Sequence, residues 1–432
     1  MRFPGIFRAG CLPGAAALLL PGLLFAADAT PPPKTWIDPQ TGHRIHRITD
    51  EPDTASFYFN VNSFTPDGKL MAYTTPEGIA VLDLATFQTP LAVPGPVRVV
   101  VVGRRTPTVF YIRTSDHALY GTNLETGETR KWADLPPRMS IETINADETA
   151  AAGAAIVGDG EDYNAAAARA RPAAPGQAQR LVQPANKVEM MERRLAARLP
   201  MELYTIDLRS GRRTVILRST DWLNHLQFSP TDPTLLMYCH EGSWWKVDRI
   251  WTIRTDGSGN RLVHRRTLGL EAAGHEFWSS DGRTIYYDLH LPFGTAFYLA
   301  SYDVGSGERV WYHLPNTKWS IHYNATRDGA LFCGDGTSRA PDWCTWATPE
   351  NEWLFLFRPE RLDDSTTPER NLIHPGVLHG ERLVDMSRHG YLLEPNVFFS
   401  PDGKLVFFRS NMFGATYVFA VEVARAAGSA GG

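Results

Sequence analysis

Cysteine is scarce, with four in 432 residues, and no two have the CxxC spacing of a structural zinc site. No run of five or six like charges occurs. Acidic and basic residues nearly balance, at 47 against 43. That excludes nucleic acid as a partner, because its phosphate backbone demands a basic face. No glycine-rich phosphate loop is present, and long helical patterns are few. After residue 26 no apolar stretch approaches the roughly 20 residues of a spanning helix.

The one apolar run lies at the start. Arg2 and Arg8 precede an apolar stretch from Leu12 to Phe25, and Ala26, Ala27 and Ala29 supply the small residues of a cleavage site. Pro13 and Pro21 interrupt the stretch, so residues 1–26 read as a signal peptide rather than a membrane anchor. Its removal takes the formal charge from −4 to −6 and places the mature protein in the periplasm or outside the cell. Cys239, Cys333 and Cys344 then remain, and the last two are near enough in sequence to pair in an oxidising compartment. Residues 27–432 read as one domain.

A repeat decides the expected fold. Thr65-Pro66-Asp67-Gly68, Ser279-Ser280-Asp281-Gly282, Thr326-Arg327-Asp328-Gly329 and Ser400-Pro401-Asp402-Gly403 are near-copies; Ser229-Pro230-Thr231-Asp232 and Asn145-Ala146-Asp147-Glu148 are looser ones. Each sits between strand-like runs, as hairpin turns do. Four short strands recur about every 40–50 residues, the mark of propeller blades. Units fall near 59–97, 98–138, 139–219, 220–268, 269–316, 317–375 and 390–423. The expectation is an all-β, seven-bladed β-propeller, with six or eight blades fitting less well. A leading strand at 44–49 pairs into the last blade. Residues 159–199 break the repeat as a short helical insertion in the third blade. There Asn186 caps a helix with Val188, Met191, Leu195 and Leu199 on one face, either facing solvent or lying beside the channel mouth.

In a propeller the innermost strands line a central channel, so equivalent positions converge. Counting back four residues from each turn signal gives His225, His275, His322 and Asn396, with Glu394 on the same strand face as Asn396. One such histidine is ordinarily structural; three in register point to a shared site. Imidazoles with carboxylate and amide oxygens suit Mn, Fe, Co, Ni or Zn more than Ca. The expected ligands of a divalent metal are His275, His322, Glu394 and Asn396, and the expected substrate contacts are His225, Trp244 and Arg249. Trp244 and Trp245 read as core packing or as a sugar-stacking face. His240, in Cys239-His240-Glu241-Gly242, is the expected general base. Arg218 is the expected carboxylate clamp, although an ordinary surface charge fits it as well.

Three segments, Cys239-His240-Glu241-Gly242, His275-Glu276-Phe277-Trp278 and residues 394–411, resemble the oligogalacturonate lyases of polysaccharide lyase family 22. The resemblance implies a seven-bladed propeller that cleaves oligogalacturonides by β-elimination with a divalent metal, usually manganese. It implies a metal-binding role for His275 and a catalytic one for His240, with Arg218 the nearest match to an implicated arginine. The chain departs from the family where a Gln-x-x-His-x-His run is expected: Tyr391, Glu394 and Asn396 stand there, with His322 or His389 as substitutes. The expected reaction neutralises a uronate's C6 carboxylate, removes the C5 proton and expels the C4 oxygen. The expected partner is an acidic oligosaccharide. Two rivals stand beside it. One is a glycoside hydrolase using two of Glu241, Glu276 and Glu394; the other is a non-catalytic envelope propeller binding glycan or protein.

Overall fold

The computed structural model describes residues 32–158, 187–338, 347–364 and 372–426. The leader, Asn186, Cys344 and hence its pairing with Cys333, and most of the insertion lie outside them. Within them the chain is all-β, with a propeller-like succession of small antiparallel sheets. Thr143–Ile144, Ala150–Ile156, Met201–Asp207 and Arg213–Ser219 form one sheet. Trp222–Phe228, Leu235–Glu241, Ile250–Arg254 and Arg261–Leu262 form the next. Ala272–Trp278, Thr284–His290, Phe297–Asp303 and Arg309–Leu314 follow. A parallel pairing, Val310 with His374, joins this last set to the strands Tyr323–Ala325, Phe332–Gly334, Trp353–Arg361 and His374–Asp385. Two sheets precede these, over Leu70–Pro94 and Val97–Asp134. The leading strand His43–Arg47 pairs with Ala415–Arg425, Ile45 facing Val421, so the start of the described chain is stitched to its end.

The repeated turns explain the regularity. In the four near-copies the first hydroxyl donates to the aspartate two residues on: Thr65 to Asp67, Ser279 to Asp281, Thr326 to Asp328 and Ser400 to Asp402, at 2.6–2.7 Å. The glycine that follows sits at φ between +69° and +72°, a region other residues enter only at a cost. Side chains from successive sheets pack between them, as where Phe64 and Met71 meet Phe398 and Phe407.

Helix α1, Lys187–Ala197, is the described part of the insertion. It does not face solvent alone: Met190 and Met191 line the cavity discussed below, and Glu192 takes bonds from Ser243 and Lys246. A second buried anchor lies between sheets. Glu271, fully buried, accepts from His264 at 2.7 Å and from the Thr267 and Leu268 amides at 2.7 and 2.9 Å. Burial alone would raise its pKa, but these bonds prevail and hold it at about 2, against 4.5 ordinarily. The stability it contributes is therefore complete above about pH 4.5 and lost as pH falls toward 2. Glu271→Gln is expected to lower stability near neutrality by about 1–3 kcal/mol and to flatten the acid limb of the stability curve. Urea unfolding across that pH range checks this; parallel acid limbs would contradict it.

Candidate active site

The residues reached by counting back from the turns share one backbone device. His225, His275 and Asn396 adopt φ of +51°, +50° and +54°. Strand register breaks at two of them, between Asn224 and Gln227 and between Gly274 and Phe277. A left-handed residue of this kind costs about 1–3 kcal/mol and persists where its surroundings over-determine it. Here it breaks the strand alternation. Together with the repeat it brings His225 and His275 to one cavity of about 230 Å³, shared with Trp244, Arg249, Glu276 and Glu394. His322 also arrives, by a bend before Tyr323–Ala325, with its ring 4.6 Å from that of His275.

A buried ionic network forms one wall. Arg249, with 3% of its side chain exposed, binds Glu241 at 2.5 Å and Glu276 at 3.1 Å. Glu276 also accepts from the Cys239 thiol, and Glu241 meets His225 Nε2 at 2.9 Å. Burial opposes both carboxylates' ionisation, but Arg249 prevails and holds Glu241 and Glu276 below their ordinary range. Burial likewise disfavours His225's charge, yet its bond to Glu241 raises its pKa above 6.5.

A second group lies opposite. His322 is fully buried; its Nδ1 and backbone amide bind Asp335 at 2.6 and 2.9 Å. Its Nε2 meets Tyr58 Oη at 3.1 Å, and Glu394 lies 4.0 Å from the same nitrogen. Trp244 stands edge-on to His275 at 4.8 Å, and Asp288 lies 3.8 Å from His275 Nδ1. No three His, Cys, Asp or Glu side chains among the described residues converge as they stand into a set that could hold a metal. The donor chemistry nevertheless suits a divalent transition metal. Two imidazoles and a carboxylate lie together, and His322 is oriented by an aspartate in the manner usual for metal-binding histidines. The buried Asn396 Oδ1 has no hydrogen-bond partner.

The structure does not bring every expected residue there. His240 alternates with Cys239 and Glu241 along Leu235–Glu241, so its ring turns the other way, stacking on Trp251 at 4.8 Å with Asp221 at 3.7 Å. Arg218 lies on Arg213–Ser219, the outermost strand of its sheet, with 72% of its side chain exposed and its Nε on Glu202. It lines no part of the cavity. Asn396 is wholly buried, its amide nitrogen bonded to the Glu394 carbonyl and its backbone to Asp335. Arg249 lines the cavity, but both its carboxylate partners are protein groups. His389 binds Ser410 and the Leu393 carbonyl. Sequence reasoning missed Asp335 and Tyr58, neither of which lies in a segment it singled out.

The oligogalacturonate lyase family profile matches residues 184–427, which contain most of the site. The oligogalacturonate lyase of Dickeya dadantii is 30% identical over 226 residues, and the oligogalacturonide lyase of Pectobacterium atrosepticum 31% over 227. Each match spans 51% of this chain and about half the relative's length, 55%. Two solved structures share the fold over 90% of this chain and 96% of theirs. They are an oligogalacturonate lyase in complex with manganese (TM-score 0.70, 23% identity) and one from Vibrio parahaemolyticus (TM-score 0.68, 21% identity). With the family profile covering more than half of its length, this chain belongs to the oligogalacturonate lyase family.

Proposed function

We propose that the chain is a metal-assisted lyase cleaving oligogalacturonides, or related uronate oligosaccharides, by β-elimination. Besides family membership, the charge of the cavity carries this reading. Glu241, Glu276 and Glu394 face one permanent cation, Arg249. A polyanionic sugar is repelled by such a wall until positive charge is added. His275, His322 and Glu394, backed by Asn396 Oδ1, would hold a divalent ion, whose charge neutralises the C6 carboxylate and acidifies the C5 proton. A solved relative with the same fold is a manganese complex, which supports manganese here.

The remaining steps fall to side chains of this chain. His225, its Nε2–H donated to Glu241, presents Nδ1 as the base for the C5 proton. Arg249 positions Glu241 rather than clamping substrate. Burial pushes the Tyr58 hydroxyl's pKa well up, so it keeps its proton and is the O–H donor nearest the site for the departing C4 oxygen. Met190, Met191, Trp222 and Trp244 give an apolar wall for the sugar's C–H face. The hydrolase reading fits less well: Arg249 holds both Glu241 and Glu276 low, leaving neither as the raised-pKa acid a hydrolase needs.

The sheet succession supports seven blades, with the eight-stranded sheet counted as two. The leader supports export, which fractionation of the expressing cell would test. No helix among the described residues is long and apolar enough to cross a membrane. The metal assignment predicts that His275→Ala/His322→Ala loses most bound Mn²⁺ after equilibrium dialysis, because an open site with few protein ligands has none to spare. Equal metal content in wild type and variant would remove these histidines from the site.

A further inference from the structure

A second, larger cavity of about 630 Å³ continues from the candidate site toward the turn end of the inner strands. Tyr58, Phe59, Asn60 and His225 line both spaces. Its electrostatics are the reverse of the first. The permanently ionisable groups on its lining are three arginines, Arg98, Arg104 and Arg327, against one carboxylate, Glu142. Burial raises the Glu142 pKa and so weakens its charge. A chain with net charge −4 thus gathers positive charge inside this channel, where low-dielectric walls focus the field.

Two of the arginines lack the partner that such charges normally find. Arg98 donates to the Ile141 carbonyl at 2.9 Å. Arg104 and Arg327 make no hydrogen bond or ion pair with any described residue. Both residues are exposed to the water of the cavity they line, so an anion entering it can reach them. An anion seated between two such like charges on one cavity would neutralise both. The cavity also holds an unmet polar group: Ser63, 1% exposed, whose hydroxyl has no hydrogen-bond partner. Its volume lies within the range of small-molecule sites.

We propose that the channel end lined by Arg104 and Arg327 is an oxyanion-binding site, taking a carboxylate or phosphate whose paired oxygens engage the two guanidinium forks. Such forks match planar oxyanions bidentately, which a lysine does not. The site is separate from the proposed chemistry, and binding there does not depend on lyase activity.

The test is calorimetric titration of the full chain, metal-stripped and at low ionic strength, with potassium galacturonate and separately with inorganic phosphate. Wild type should bind at least one probe saturably, with affinity falling as salt rises; the tighter probe identifies the source of the anion. Arg104→Ala/Arg327→Ala should weaken that binding by roughly tenfold or more, and Arg104→Lys/Arg327→Lys should recover only part of it. Thermal unfolding should show both variants folded. No saturable binding of either probe to wild type, or equal binding to wild type and the alanine variant, would overturn the proposal.

Discussion

Arg249→Met is expected to lower unfolding free energy by about 3–5 kcal/mol, far more than the lost packing explains. Methionine fills much of the same space, but it leaves Glu241 and Glu276, which are 6% and 1% exposed, without the cation that keeps them ionised. Their pKa values should rise, since burial then acts unopposed, and His225 loses a charged, fixed partner. The variant should therefore be destabilised most above neutral pH, where both carboxylates are forced to ionise, and should recover in part as pH falls. Adding Glu276→Gln to Arg249→Met should restore part of the stability, because one unpaired charge is removed. Urea denaturation of the single and double variants measures both effects. A single variant within about 1 kcal/mol of wild type would contradict a buried, charged network.

The second large effect concerns the base. His225→Ala is expected to slow turnover by about 10²–10⁴-fold while leaving substrate affinity nearly intact, as loss of a general base does. In wild type the rate should fall as pH drops through the raised His225 pKa, because the base must be unprotonated; the limb therefore lies above the ordinary 6.5. The variant should lose that limb. His240→Ala should change turnover only slightly, since its ring packs on Trp251 outside the cavity. The reverse ranking of the two variants would return the chemistry to His240.

Much of the frame was legible because the turn chemistry is local. An aspartate bonding its own turn and a glycine at positive φ mark the four near-copies in the sequence itself, and counting from two of them and from the looser, glycine-free turn at Ser229 reached His275, Asn396 and His225 at one equivalent backbone position. What counting does not carry is which way a neighbouring side chain points. His240 has the chemistry of a general base, yet alternation along Leu235–Glu241 sends Cys239 and Glu241 to the cavity side and His240 to the other. Read beside the apolar Cys239, that period of two was an available signal. Arg218 differs for another reason: although it precedes the inner strand closely in sequence, it lies on the outermost strand of the preceding sheet, facing Glu202. Asp335 and Tyr58 were not legible, because they reach His322 from 13 and 264 residues away. The Arg249 network likewise depends on two strands from adjacent sheets meeting side by side.

The most direct measurement is digestion of oligogalacturonides by the purified chain, with Mn²⁺ and after chelation, following the ultraviolet absorbance of the unsaturated product. β-Elimination leaves a C4–C5 double bond conjugated to the carboxylate, whereas hydrolysis leaves none. The expected result is absorbance that rises with Mn²⁺, collapses on chelation and returns when the metal is restored. Chain shortening without that absorbance, or unsaturated product formed equally well by the chelated protein, would contradict a metal-assisted lyase.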